Sequence, residues 1–326
     1  MTLPTNTLES YAARGNREDL QDKIYMVSPE KTPVLSAGRK FKATNRLHEW
    51  QRDTLATPNP DNAVVEGFDR TGTALTPTER VANTCQLFDK IAIVSTAQRK
   101  SNSAGRSDEM KYQIATKAIP ELKRDMEAMM ISNNNAVAGN AATARKSGSL
   151  GNMIYTNVSH NGAGATTAHT SGIPSAAVTG GTPRTFTEAL VKTVMQSIYT
   201  NSGEMPTIIS MTPAHKGVFS GFTGIASSRF TVAVKEKQQA RIVGGADVYM
   251  SDFGELAVVP NYVQATSNSG TVFILNPEHY GLAYFQEFRT DALAKTGHTD
   301  KEMVSAEVLV VVTSQTAQGK IANLTP

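Results

Sequence analysis

The sequence predicts an α+β fold, on three observations. A long amphipathic helical stretch runs from Ser107 to Asn133, and a strand-rich C-terminal third follows a loop-rich middle. Between Gln51 and Thr84 lies a polar tract almost without apolar periodicity. In the helical stretch Ala115, Ala118, Ile119, Leu122, Met126 and Met129 recur at helical spacing and make one apolar stripe. Ser107 reads as its N-cap, with Asp108 and Glu109 adding negative charge where the helix dipole favours it. At about 1.5 Å per residue the helix is about 39 Å long, far beyond the usual three or four turns. Pro120 lies inside it and predicts a kink near Ile119.

The C-terminal strands begin with Asp247–Met250 and Leu256–Pro260, joined by Ser251–Glu255 as a hairpin. Thr271–Leu275 and Gly281–Arg289 come next. The last strand is Glu302–Thr313, with Val304, Ala306, Val308, Val310 and Val312 on one face. It is longer than the usual five or six residues, and its β-branched content marks a well-buried strand. Between the long helix and these strands, 133–181 is rich in small polar residues and reads as exposed loops. A helix then spans Phe186–Tyr199, with Thr185 and Glu188 as a capping box and Phe186, Leu190, Val194 and Ile198 facing inward. Thr207–Met211 is a short strand, and Thr212-Pro213 starts a further helix.

Upstream, residues 1–33 are polar, with a short helix expected at Asn16–Ile24 that has no core of its own. Lys40–Trp50 and Leu87–Ser95 alternate as strands, the second with Leu87, Ile91 and Ile93 on one side. Structureless connections beyond about 12–15 residues are uncommon in compact domains, so two strands carrying the long polar tract read as an extended arm. A lone two-stranded hairpin is marginal in water, and the arm therefore needs a neighbour to stabilise it.

At 326 residues the chain can bury a sizeable core, and its length favours two domains. With 40% hydrophobic and 19% charged residues it is globular rather than disordered. A net charge of +3 does not by itself point to a nucleic-acid-binding domain. The single cysteine, Cys85, excludes an intramolecular disulfide and reads as a small buried hydrophobe. No apolar run reaches the roughly 18 residues of a membrane-crossing helix. The opening MTLPTNTLES lacks the basic start and apolar stretch of a signal peptide, so a soluble, intracellular product is expected.

The six histidines have no zinc-binding spacing, and there is no phosphate-cradling GxxxxGK[ST] loop and no GxSxG elbow. Gly217–Gly221 reads GVFSG, with its serine displaced. A hydrolase built from distant residues such as Ser210, His215 and Asp252 has no support in spacing. No cofactor and no catalytic group is expected, and a chain this large without them points to a structural or assembly role.

Five stretches carry a family resemblance: Gly15–Leu20 (GNREDL), Ser28–Pro33 (SPEKTP), His48–Gln51 (HEWQ) with Asp53, Asn62–Gly67 (NAVVEG) and Glu121–Glu127 (ELKRDME). Together with the order of elements, the chain resembles the major capsid proteins of tailed bacteriophages, whose fold is shared with the herpesvirus capsid floor. The resemblance covers most of the chain and is weakest between Ala141 and Pro183. It implies an N-terminal arm at 1–33, an E-loop at 34–98 and a peripheral (P) domain at 99–144 whose spine helix is 107–133. An axial (A) domain at 145–270 and returning P-domain strands at 271–326 complete it.

The implied function is assembly into pentamers and hexamers of an icosahedral head enclosing double-stranded DNA, in the virion and, during assembly, the host cytoplasm. An encapsulin-like compartment is the alternative with the same fold. Implied partners are other copies of the chain, a portal protein, a decoration protein and packaged DNA held without sequence specificity. Because nothing before the arm is long enough to be a scaffolding domain, a separate scaffolding protein is expected; no membrane is. In this family charged spine-helix and E-loop residues meet at subunit boundaries. The corresponding positions here are Glu121, Lys123, Arg124, Asp125 and Glu127 on the helix, and Trp50, Arg52 and Asp53 on the E-loop. For Trp50 an anchor within its own subunit competes with that role.

Overall fold

The computed structural model describes residues 23–222 and 247–325, apart from Pro29, Arg70, Thr73 and Thr170. The GNREDL stretch and most of the Asn16–Ile24 helix expected above lie outside the described residues. The chain enters the body at helix α1 (Pro33–Ala37) and runs through strands β1 (Arg39–Lys42), β2 (Leu47–Arg52), β3 (Glu79–Thr84) and β4 (Gln86–Ser95) to α2 (Thr96–Lys100). Lys40–Trp50 is thus two strands, not one. They are separated by 43–46, where the Asn45 side chain accepts a hydrogen bond from the Arg46 amide.

The two halves have different partners. β1 pairs in parallel with β10 (Tyr280–Ala292), whereas β2 pairs only with β3, as a two-stranded ribbon carrying 53–78 at its tip. β4 belongs to the body: the four-stranded sheet runs β1–β10–β11–β4, with β11 at Thr299–Val312. Parallel approach of β1 to β10 is close enough to require Gly281. A Cβ there would stand 1.8 Å from the Arg39 carbonyl oxygen.

The long helix starts one residue later than expected. Asp108, not Ser107, is the cap, its carboxylate accepting from the Met110 and Lys111 amides. It runs as α3 (Glu109–Tyr112), a π-helical segment Gln113–Ala118 and α4 (Ile119–Ile131). The Ile119 amide donates to Ile114, five residues back, and Pro120 follows in the first turn of α4. A proline has no amide to donate, and it follows directly on the turn where the helical ladder changes its spacing. The extra residue per turn also rotates the stripe: Ala115 is exposed, while Ala118, Leu122, Met126 and Met129 stay buried.

α4 lies on the four-stranded sheet. Leu122, Met126, Met130 and Ile131 pack with Phe88 of β4 and with Val304, Ala306, Val308, Val310 and Val312 of β11. The other face of β11 is covered at one end as well, where Leu309 and Val311 pack with Ala43, Cys85 and Ala283. Burial on both faces explains the unbroken apolar run 308–312.

A six-stranded sheet runs β5 (Val158–Ser159), β12 (Gly319–Ile321), β9 (Val272–Leu275), β6 (Ile208–Met211), β8 (Gly254–Pro260), β7 (Val248–Ser251). α6 (Glu188–Ser202) and α7 (Pro213–Ser220) pack on it through Val191, Val194, Met195, Ile198 and Phe219. α6 begins two residues after Phe186, with Thr187 at the N-cap position but making no side-chain capping bond, in place of the Thr185 box, and Gly203 ends it at φ 70°. α7 starts as expected, with the Thr212 hydroxyl accepting from the His215 amide. The 133–181 stretch is mostly loop, carrying α5 (Leu150–Met153), and α8 (Gln264–Ser267) sits against α4.

Candidate assembly surfaces

Three surfaces stand apart from the core: the ribbon, the outer face of β4, and the charged flank of α4. The ribbon register pairs Trp50 with Val81 and Arg52 with Glu79. Its base is fastened to the body from inside. The half-buried Trp50 indole N–H donates to the Val312 carbonyl at 3.1 Å, and Arg52 bridges Glu79 at 2.9 Å and approaches the Tyr155 hydroxyl. Asn83 on β3 is wholly buried, and its amide nitrogen donates to the Val310 and Gly148 carbonyls while its oxygen accepts from the Gly148 amide. Asn83 carries no sequence signal, because an asparagine in a polar tract looks like a turn residue. Beyond this base the tip displays Leu55, Val64, Val65, Phe68 and Leu75, with Leu55 98% and Leu75 96% exposed. Asp53 is exposed there too, its carboxylate accepting from the Thr54 amide.

The periodicity of β4 is correct, but it faces outward. Phe88 and Val94 are buried, while Leu87, Ile91 and Ile93 are each more than half exposed on an edge strand of the sheet. A second apolar patch, Tyr25, Met26 and Val27, lies exposed just before α1.

On the flank of α4 the charges named from sequence are already paired within the chain. Lys90 of β4 reaches Asp125 at 3.1 Å and Glu121 at 3.8 Å; Lys123 meets Glu30 at 2.6 Å. The Arg124 guanidinium stacks over the Tyr262 ring. Glu127 requires a correction: it has no exposed surface and cannot meet another subunit. One carboxylate oxygen accepts from the Val34 amide at 3.1 Å and the Asn261 side-chain amide at 2.5 Å; the other accepts from the Leu35 amide at 2.6 Å. Burial pushes its carboxyl above the usual range, opposed by those three donors. Trp50 and Arg52 are half-buried and bonded within the subunit, and Asp53, Glu121 and Asp125 are exposed.

The scattered hydrolase residues are not brought together. His215 is held by the Thr212 hydroxyl and the Thr325 carbonyl, and the Ser210 hydroxyl donates to Gln264. Asp252 lies in the β7–β8 turn. The Cys85 thiol is buried and pushed up to about 11, chiefly by desolvation, which leaves it unreactive at neutral pH. Among the described residues no group of three or more His, Cys, Asp or Glu could hold a metal ion, and no helix is long and apolar enough to cross a membrane.

The sequence profile of the SU10 major capsid protein family matches residues 3–325. The chain belongs to that family. Over 123 residues it is 32% identical to the major capsid protein of Escherichia phage Phieco32, a stretch covering 38% of this chain and 35% of that protein. The fold is that of phage capsids. It matches the cyanophage A-1(L) capsid subunit with a TM-score of 0.62 at 13% identity, covering 98% of this chain and 99% of the other. The cyanophage Pam1 capsid gives 0.61 at 11%, covering 99% and 100%. The SrpI encapsulin of Synechococcus elongatus shares the fold at a TM-score of 0.56 and 11% identity, covering 98% and 96%. Membership of the major capsid family carries a structural, non-enzymatic role in the phage virion.

Proposed function

We propose that this capsid protein assembles as pentamers and hexamers into an icosahedral phage head around double-stranded DNA. The observation that carries the reading is apolar surface on segments with no core of their own: Leu55, Val64, Val65, Phe68 and Leu75 on the ribbon tip, and Tyr25, Met26 and Val27 before α1. Exposed apolar area is favourable to bury at about 25 cal/mol per Å². A ribbon tip cannot bury it on itself, so copies of the chain are the natural cover. The arm, E-loop, P and A divisions are carried over on this basis, with the N-terminal segment and the ribbon lying across adjacent subunits.

Each contact stays modest. A standard interface buries about 1,600 Å², and a subunit held by several neighbours gains from multivalency. Heterologous contacts of this kind close rings where the rotation permits. Asp53, Glu121, Lys123, Arg124 and Asp125 remain the proposed charged contacts, with the internal pairs at Lys90 and Glu30 available for exchange. Trp50, Arg52 and Glu127 serve the subunit's own frame. The reading includes a portal protein, a separate scaffolding protein, a decoration protein and assembly in the host cytoplasm.

Electron microscopy of the purified chain, alone and with a scaffolding protein encoded beside it, tests this. Closed shells or five- and six-membered rings are expected. Persistent monomer across salt and concentration would overturn the reading. Native particles filled with protein cargo instead of DNA would replace the head by a compartment, the job to which the encapsulin likeness points.

A further inference from the structure

Glu127 is a buried charge that stability alone does not explain. It lies in the core layer of α4 with no surface exposed. Three neutral N–H donors, from Val34, Leu35 and Asn261, are its partners. Removing a carboxylate from water is costly, and an uncharged side chain of similar volume is often as stable or more so. The arrangement is nonetheless fully built. Thr32 precedes α1 without capping its amides, and Glu127 takes over that task from 93 residues away.

The three donors come from two parts of the molecule, and Glu127 joins them to a third. Val34 and Leu35 lie where the N-terminal segment joins the body. Glu127 is on the long helix. Asn261 is fixed to the six-stranded sheet, its own amide donating to the Met211 carbonyl. A second bond holds the same junction, the buried Tyr280 hydroxyl donating to the Val34 carbonyl at 3.1 Å. One turn along α4, Lys123 meets Glu30 just upstream of the junction. Gly38 completes the fit: a Cβ there would come within 2.9 Å of the Tyr280 ring. The segment before Thr32 thereby leaves the body at one point and in one direction.

We propose that Glu127 is a positioning residue for assembly: its carboxylate sets where and how the N-terminal arm departs from the long helix. The proposal rests on the arm reading given under Proposed function, since the arm must be aimed to reach a neighbour. A carboxylate suits this task because it offers two acceptor oxygens and no donor. Glutamine presents an amide hydrogen to one of the three N–H groups. At least one bond is then lost while volume is preserved.

The test is Glu127→Gln in the full chain, read by amide exchange, melting and shell formation. Exchange at Val34 and Leu35 in the free subunit is expected to quicken by about tenfold or more. Shell yield should fall by a similar factor while the free subunit melts at or above the native temperature. Unchanged protection of both amides overturns the proposal, and so does a loss of shells matched by a loss of subunit stability. Should Glu127→Gln not fold, Glu127→Asp carries the test with the same outcomes, because it keeps both acceptor oxygens and withdraws them by one methylene from the Val34 and Leu35 amides. A native chain that forms no shells refutes the assembly reading, whereas the exchange rates still decide whether Glu127 holds the junction.

Discussion

At the scale of single residues, the molecule spends several charges inside itself, and Lys320 on β12 is the most open to measurement. It is wholly buried, and its ammonium donates to the Gly151 carbonyl and to the Thr166 hydroxyl, two uncharged acceptors. Desolvation pulls its pKa from 10.5 down to about 7. The unfolded chain therefore binds this proton more tightly than the folded one. Stability should rise with pH between about 7 and the ordinary lysine value, by up to about 1.4 kcal/mol per pH unit. Below about 7 both states hold the proton and the slope vanishes. Thr166 also meets His160, whose pKa is lowered chiefly by burial and further by Lys320 and Arg184 nearby. Denaturant midpoints of Lys320→Met measured across pH 6–10 should lack that slope; an unaltered slope would show that Lys320 is not its source. A lone lysine in an apolar strand offers no sign in sequence that its ammonium is enclosed. Gly151 of α5 and Thr166, both distant in sequence, are what meet it.

At the scale of elements, the long helix shows where periodicity stops being informative. Ala118, Leu122, Met126 and Met129 are buried as their spacing requires and Ile119 partly so, but the π segment Gln113–Ala118 turns Ala115 to solvent. Pro120 then follows the widened turn, which already departs from the i→i−4 ladder that an interior proline breaks. Pro120→Ala should accordingly change subunit stability by less than about 1 kcal/mol. An interior helical proline would give about 3 kcal/mol back on replacement, so thermal melting separates the two accounts. β4 teaches the same lesson from a strand. Alternation placed Leu87, Ile91 and Ile93 on one face correctly, yet the body covers the opposite face, with Phe88 and Val94. Alternation reports that a face is apolar, and not which neighbour will cover it.

At the scale of the whole molecule, none of the described residues of the ribbon tip joins the core, while its base is tightly fastened by Trp50 and Asn83. Replacing 54–76 with a short Gly/Ser linker should leave the melting temperature of the free subunit unchanged and abolish shells. A subunit destabilised by the replacement would place the tip within its own frame, and shells formed normally would remove it from assembly. The internal pairing of Lys90 with Glu121 and Asp125 bears on the same question. Surface pairs of this sort contribute about 0–1 kcal/mol, so exchanging them for contacts across a boundary costs little.

Local elements and the family were legible in the order of residues. The alternating run of β11, the Thr212-Pro213 start of α7, the β7–β8 hairpin and the segments SPEKTP, HEWQ and ELKRDME all depend on residues close together in the chain. Packing in three dimensions was needed to divide Lys40–Trp50 between two sheets, to turn Ile91 and Ile93 of β4 outward, and to make Glu127 a buried joint instead of a surface contact. The reason is physical. Propensity and periodicity act over one or a few turns, whereas burial and the partner of a charge depend on surfaces that meet only after distant segments, such as Val34 and Glu127, have packed together.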